Sequence, residues 1–227
     1  MPEETIAAIL LSLKVAAMAT TAAAIIGVAC ARLLTRLRFT GKEAVETALL
    51  LPMVLPPTVL GFGLLLVFGR NGPFESLFGT NLLFTWWAAV IASAVVAFPL
   101  VYQNAKAAFE KVDPDQENAA RTTGAGEARV FFTVSLPLAW PGIMSGLVLA
   151  FTRALGEFGA TLMVAGNIPG KTLTVPMVIY FAVESGDYAT ATPLVAIVLL
   201  LSFTVLFGLQ HWSRRRLVRY TMQRRHL

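Results

Sequence analysis

Charge is scarce in this chain. Only 14% of its 227 residues are Asp, Glu, Lys or Arg, whereas 56% are hydrophobic and the mean hydropathy is +0.70, a balance that excludes an ordinary soluble core of this size. Cysteine occurs once, at Cys30, which removes any disulfide framework and any thiolate metal cluster. Histidine occurs twice, at His211 and His226, and no Ser/His/Asp grouping, paired carboxylates or metal-ligand spacing assembles around either. No catalytic residue, metal or cofactor of the chain's own is therefore expected. The apolar runs are continuous and lack the strict alternation of a membrane β-barrel. Internal repeats are missing as well, so any symmetry must come from a second copy of the chain. The net charge of +5 and the pI near 9.7 do not point to nucleic acid, because the surplus is explained by loops and a tail facing anionic lipid headgroups.

What is present is apolar length. A helical span takes about 20 mainly apolar residues, and segments 11–34, 45–68, 84–102, 136–158 and 189–212 each supply one. This predicts an all-α, polytopic integral membrane helix bundle in a single domain, 1–227, with about five transmembrane helices. Segment 158–183 is expected to be an outer loop with a short interfacial or re-entrant helix, since Gly166 to Lys171 divides its apolar stretches. No cleavable signal peptide is expected, because the first apolar run is long and lacks a basic start. Short basic loops stay in the cytoplasm. Arg32, Arg36, Arg38 and Lys42 follow the first span, Lys106, Lys111, Arg121 and Arg129 the third, and a basic tail at 213–227 the fifth. The chain is thus expected in the cytoplasmic (inner) membrane, with its N-terminus outside and its C-terminus inside.

Several features interrupt the spans. Pro52, Pro56 and Pro57, then Gly61 and Gly63, break the second span repeatedly, and a broken helix in a bundle can line a cavity; a packing kink is the alternative. Arg153 and Glu157, four apart at the outer end of the fourth span, can pair on one helix face. They read either as an anion-pathway entrance, with Glu157 orienting Arg153, or as a structural ion pair. Pro56, Pro57, Gly61, Arg153 and Glu157 are accordingly the candidate pathway residues. Lys14 can snorkel to the headgroups, and Gly142-x-x-x-Gly146 offers a small-residue face for helix approach.

Between the third and fourth spans a polar helix is inserted at 113–130, where a short turn would suffice. Asp113-Pro114-Asp115 supplies turn and N-cap chemistry, acids lie near the positive end of the helix dipole, and Gly124-Ala125-Gly126 ends the helix. Ala119 and Ala120 keep it thin enough to settle into a partner's groove. The run Glu117-Asn118-Ala119-Ala120-Arg121-Thr122-Thr123-Gly124, followed after nine residues by Val134-Ser135-Leu136-Pro137, resembles the cytoplasmic coupling loop of ABC-importer permeases. That pattern is Glu-Ala-Ala, three residues, Gly, nine residues, Ile-x-Leu-Pro. Val134 replaces Ile, and Asn118 stands where the family has Glu; the acid is Glu117, one step earlier and about 100° away around a helix. The resemblance implies that Glu117, Asn118, Ala119, Ala120, Arg121 and Gly124 couple to an ATPase. Ala165-Gly166-Asn167-Ile168-Pro169-Gly170-Lys171-Thr172 nearly matches a phosphate-cradling loop, but its first Gly is Ala and no strand precedes it. ATP-Mg is therefore expected on a partner ATPase.

From about residue 11 to 207 the chain also resembles the permease subunit of molybdate importers. The resemblance is carried by Leu55-Pro56-Pro57-Thr58-Val59-Leu60-Gly61, Phe68-Gly69-Arg70-Asn71-Gly72, Val130-Phe131-Phe132-Thr133-Val134-Ser135-Leu136-Pro137-Leu138, Arg153-Ala154-Leu155-Gly156-Glu157-Phe158-Gly159-Ala160-Thr161, and Asn167 to Thr172 with Val175-Pro176. It implies a type I importer fold and a homodimer of this subunit. It also implies two cytoplasmic ABC ATPase subunits and a periplasmic oxyanion-binding protein that delivers molybdate for translocation by alternating access. Tungstate and sulfate or thiosulfate are the alternative cargoes. A proton-driven carrier would be expected to show inverted repeats or mid-membrane acids, and a structural membrane protein would not need the coupling pattern.

Overall fold

The computed structural model describes residues 2–224, with side chains described for 4–209 and 211; the side chains of the basic tail at 213–227, and His226, lie outside the described residues. The described chain is helical and contains no strand. In order it forms α1 (Pro2–Arg36), α2 (Lys42–Val54), α3 (Pro57–Phe68), α4 (Pro73–Phe78), α5 (Trp86–Glu110), α6 (Pro114–Thr122) and α7 (Glu127–Val130). A π-turn (Phe131–Ser135) leads into α8 (Leu136–Leu155), followed by α9 (Gly159–Ala165), α10 (Val175–Glu184) and α11 (Tyr188–Arg224). Among the described residues, α1, α5, the continuous run Glu127–Leu155 and the stretch Tyr188–Leu209 are long and apolar enough to cross a membrane.

The frame is α1, α5 and α8. Lys14 sits over the Trp86 ring, Gly27 meets Val101, and Arg32 lies over Phe109, so α1 and α5 run parallel. Their seam is made of alanines: Ala16, Ala19, Ala23, Ala89, Ala92 and Ala97 are essentially inaccessible. The α8 helix returns antiparallel, and here the Gly142/Gly146 pair finds its use. A Cβ on Gly142 would lie 2.6 Å from Ala108 Cβ, and one on Gly146 would lie 2.7 Å from Asn104 Cβ. Such small-residue seams let backbones come close where lipid offers no hydrophobic drive.

The expected broken span 45–68 is an elbow. The helix pair Lys42–Val54 and Pro57–Phe78 is bent by 112°, because Pro56 and Pro57 remove two successive amide donors and push Leu55 (ψ 142) and Pro56 (ψ 139) into extended backbone. The segment 158–183 likewise differs from a loop with one short interfacial or re-entrant helix. It holds two helices, and α9 is buried against α3 and α5 through Ala160, Thr161, Val164 and Ala165. Small residues again explain the fit: a Cβ on Gly159 would fall 2.8 Å from Pro57 Cβ, and one on Gly61 would fall 3.0 Å from Ala160 Cα. At the start of α10 the Val175 amide donates to Ser12 Oγ of α1 at 2.8 Å.

Gly146→Leu should overpack the α5–α8 seam and destabilise the subunit by about 1–3 kcal/mol, read as a lower unfolding midpoint in detergent. Gly63, whose added Cβ meets nothing within 4 Å, should tolerate Ala without a drop. Equal midpoints for Gly146→Leu and the parent would refute the close-packing account.

Candidate functional site

The α6 helix is built to stand by itself. Asp113 Oδ1 accepts from the Asp115 amide at 3.0 Å, Pro114 occupies the first turn, where no donor is needed, and Asp115 and Glu117 face the positive end of the dipole. At the other end Gly124 adopts φ +81, the Gly124 amide donates to the Arg121 carbonyl and the Ala125 amide to the Ala120 carbonyl. This is a Schellman stop, and it requires the left-handed residue that glycine supplies at least cost. The Thr122 and Thr123 hydroxyls return to the Ala119 and Ala120 carbonyls. None of the α6 residues is fully buried, and Gln116, Asn118, Ala119, Thr122, Thr123 and Gly124 form an uncovered face. Of the six residues expected to couple, Asn118, Ala119 and Gly124 lie on that face, and Ala120 is half-buried.

Glu117 points the other way. Its side chain is 12% exposed and both carboxylate oxygens are occupied within the chain. Oε1 accepts from Ser135 Oγ at 2.5 Å and Arg32 Nη2 at 2.8 Å. Oε2 accepts from Arg36 Nη2 at 2.8 Å and Arg121 Nη2 at 3.2 Å. Arg121 also donates to Asn118 Oδ1 and to Glu127 Oε1, and Arg36 pairs with Glu127. Arg32 lies over the adjoining rings of Phe109 and Phe131, 5.4 and 5.6 Å from their centroids, and also donates to Ser135 Oγ at 2.9 Å. Arg32, Arg36, Ser135 and Glu127 thus join the site, although their charges or motif positions alone did not assign them to it. The i, i+4 arginines of α1 were the available signal.

The π-turn brings Ser135 into place. Pro137 has no amide to give to the carbonyl four residues back, and the Leu136 amide instead reaches the Phe131 carbonyl, five residues back. The extra residue turns Ser135 inward, where it is fully buried. Burial by itself would raise the Glu117 carboxyl, but the Ser135 hydroxyl, Arg32 and Arg36 outweigh it and hold it at about 2.

The pathway candidates separate into two groups. Gly61 is covered by α9, as its packing requires, whereas Pro56 and Pro57 at the elbow are exposed. Arg153 Nη1 donates to Glu157 Oε2 at 2.7 Å, and Glu157 Oε1 accepts from the Ala160 amide at 3.0 Å. The Glu157 side chain is 1% exposed, while Arg153 keeps 38%. Glu157 therefore joins α8 to α9, and one side of the Arg153 guanidinium remains open. The phosphate-loop look-alike is closed on itself: Thr172 Oγ1 donates to the Gly166 carbonyl and accepts from the Ile168 amide. The threonine takes an amide that a phosphate would need.

The depressed value at Glu117 gives a signed expectation. Its ordinary value is 4.5 and its folded value is about 2, so its hold on α6 is complete above about pH 4.5 and is lost as pH falls from there toward 2. A spin label at Thr122→Cys, in a Cys30→Ser background, should keep constant mobility from neutral pH to about 5 and loosen below 4.5. Loosening already near neutral pH would contradict the cluster.

Comparison with known proteins agrees with this geometry. The family model of the binding-protein-dependent transport system inner membrane component matches residues 23–219. YvgM of Bacillus subtilis (strain 168), provisionally designated a molybdenum transport system permease protein, is 48% identical over 206 residues, covering 89% of this chain and 91% of its own. The molybdenum transport system permease protein ModB of Escherichia coli (strain K12) is 47% identical over 182 residues, 78% of this chain and 80% of its own. The sulfate transport system permease protein CysT of Salmonella typhimurium is 33% identical over 215 residues, 93% of this chain and 78% of its own. Among solved structures, an inward-facing conformation of the MetNI methionine ABC transporter superposes with TM-score 0.72 at 17% identity, covering 95% of this chain and 97% of that one, a likeness of fold. Family match, relatives and fold agree: the chain belongs to the binding-protein-dependent transport system inner membrane components.

Proposed function

We propose that this chain is the permease subunit of an ATP-driven importer that carries molybdate into the cytoplasm by alternating access. It works as two copies in the inner membrane, with two cytoplasmic ATPase subunits that hold ATP-Mg and a periplasmic protein that delivers the oxyanion. The observation that carries this reading is the uncovered face of α6. A short polar helix capped at both ends, thin at Ala119 and rooted in the bundle, has the form of a handle for another protein. The one phosphate-loop look-alike is filled by Thr172, so nucleotide chemistry belongs to a partner. The basic ends of α1, α5 and α6 favour a cytoplasmic position for this end, with the N-terminus outside and the C-terminus inside.

Relatives named for molybdenum at 47–48% identity, against a sulfate permease at 33%, favour molybdate as the cargo. Both oxyanions carry the same charge at neutral pH. A pathway that must release its ion cannot hold it tightly, so selectivity resides mainly in the delivery protein. In proteoliposomes with the cognate ATPase and delivery protein, radiolabelled molybdate should enter and excess sulfate should compete poorly. Faster uptake of sulfate or tungstate would reassign the cargo.

Two substitutions test the named residues. Gly124→Leu forces a side chain into left-handed backbone at about 1–2 kcal/mol and should abolish stimulation of ATP hydrolysis by the loaded delivery protein, although the complex still inserts. Undiminished stimulation would remove Gly124 from the coupling. Arg153→Ala combined with Glu157→Gln discharges the pair without leaving an unpaired buried charge and should slow oxyanion uptake; normal uptake in that variant would make the pair purely structural.

A further inference from the structure

We propose that Glu117 is a positioning residue and not a docking residue: it fastens α6 to α1 and to the π-turn that opens α8, so that displacement of α6 moves two spans together. This inference rests on the importer reading and deepens it. Because α6 buries no residue fully, apolar packing contributes little to its attachment. Polar contacts must then carry it. The Glu117 carboxylate is the common point, with Arg32 and Arg36 from α1, Ser135 from the π-turn and Arg121 from α6 itself.

Each arm reaches a different part of the frame. Arg32 lies over both Phe109 of α5 and Phe131 of the π-turn, so its grip extends to α5. Ser135 donates to Glu117 and accepts from Arg32, and it is fully buried. Glu127 balances the outer edge through Arg36 and Arg121. Asn118 and Ala119, one and two steps further around α6, are exposed. The helix therefore divides into a rooted side and a free side. A force applied on the free side passes through the rooted carboxylate, the half-buried polar contact that both α1 and the start of α8 share. Charge-assisted bonds of this kind are short and directional, which suits the transmission of displacement.

The test uses the reconstituted complex with its cognate ATPase and delivery protein, and reads ATPase co-purification together with molybdate taken up per ATP hydrolysed. Glu117→Gln should keep the ATPase bound while lowering that ratio about tenfold, within the usual span of coupling effects. Glu117→Asp, which keeps the charge, should recover part of it. Ala119→Glu, on the free side, should lose the ATPase. An unchanged ratio in Glu117→Gln would reduce the cluster to a stabilising contact and overturn the proposal. Loss of the ATPase from Glu117→Gln, to the same degree as from Ala119→Glu, would make Glu117 a docking residue and overturn it too. Retention of the ATPase by Ala119→Glu would instead count against the docking face itself. Should Glu117→Gln fail to insert, Ser135→Ala removes one arm without changing the charge; its ratio should fall severalfold with the ATPase bound, and a normal ratio would overturn the proposal.

Discussion

Helices surrounded by lipid gain nothing by hiding apolar surface from one another, so what holds α1, α5 and α8 is how near their backbones come. The sequence meets that constraint with alanine and glycine. Ala16, Ala19 and Ala23 lie in one seam, and Gly142 and Gly146 lie in the other. Many larger side chains point outward: Leu199, Leu200 and Phe203 of α11 are more than half exposed. Two shorter helices are hung from this trio: α6 from the shared end of α1 and α5, and α9 from the far end of α8.

The few charges are used sparingly and mostly in company. At one end two acids and three arginines form the cluster around Glu117 and Glu127. At the other, Glu157 is enclosed with Arg153 and a backbone amide. A buried carboxylate without partners would carry a large desolvation cost, so these groupings are conditions for the fold. They also stand where α6 and α9 meet the frame. The same interactions thus fix geometry and, on the proposed reading, lie where motion would pass.

Much of the fold was legible because it is written in runs. Four stretches of mainly apolar residues announce long helices without help from tertiary context, and the caps at Asp113 and Gly124 announce α6. The elbow was half legible: paired prolines guarantee a break, but its 112° angle depends on where α3 finds α9. The burial of α9 was hidden because its seven residues are too few for periodicity to speak, and its fit turns on Gly61 and Pro57, about a hundred positions earlier. The direction of Glu117 was hidden for a similar reason. Its partner Arg32 is 85 residues away, and the π-turn that aims Ser135 at it adds a residue to the helical phase that no simple period anticipates.

The elbow has a consequence for solvation. At 1.5 Å per residue, α2 and α3 reach only about 20 Å each, short of a hydrocarbon layer of about 30 Å, so the bend at Leu55 and Pro56 lies within membrane depth. Pro56 and Pro57 leave the Pro52 and Met53 carbonyls without their helical donors, and such groups are tolerated there only beneath protein or beside water. Val54, Pro56, Pro57 and Thr58 are exposed on the single chain. A lone subunit is therefore a poor solute for lipid, and its comfort in the bilayer depends on a neighbour or an aqueous vestibule at that corner.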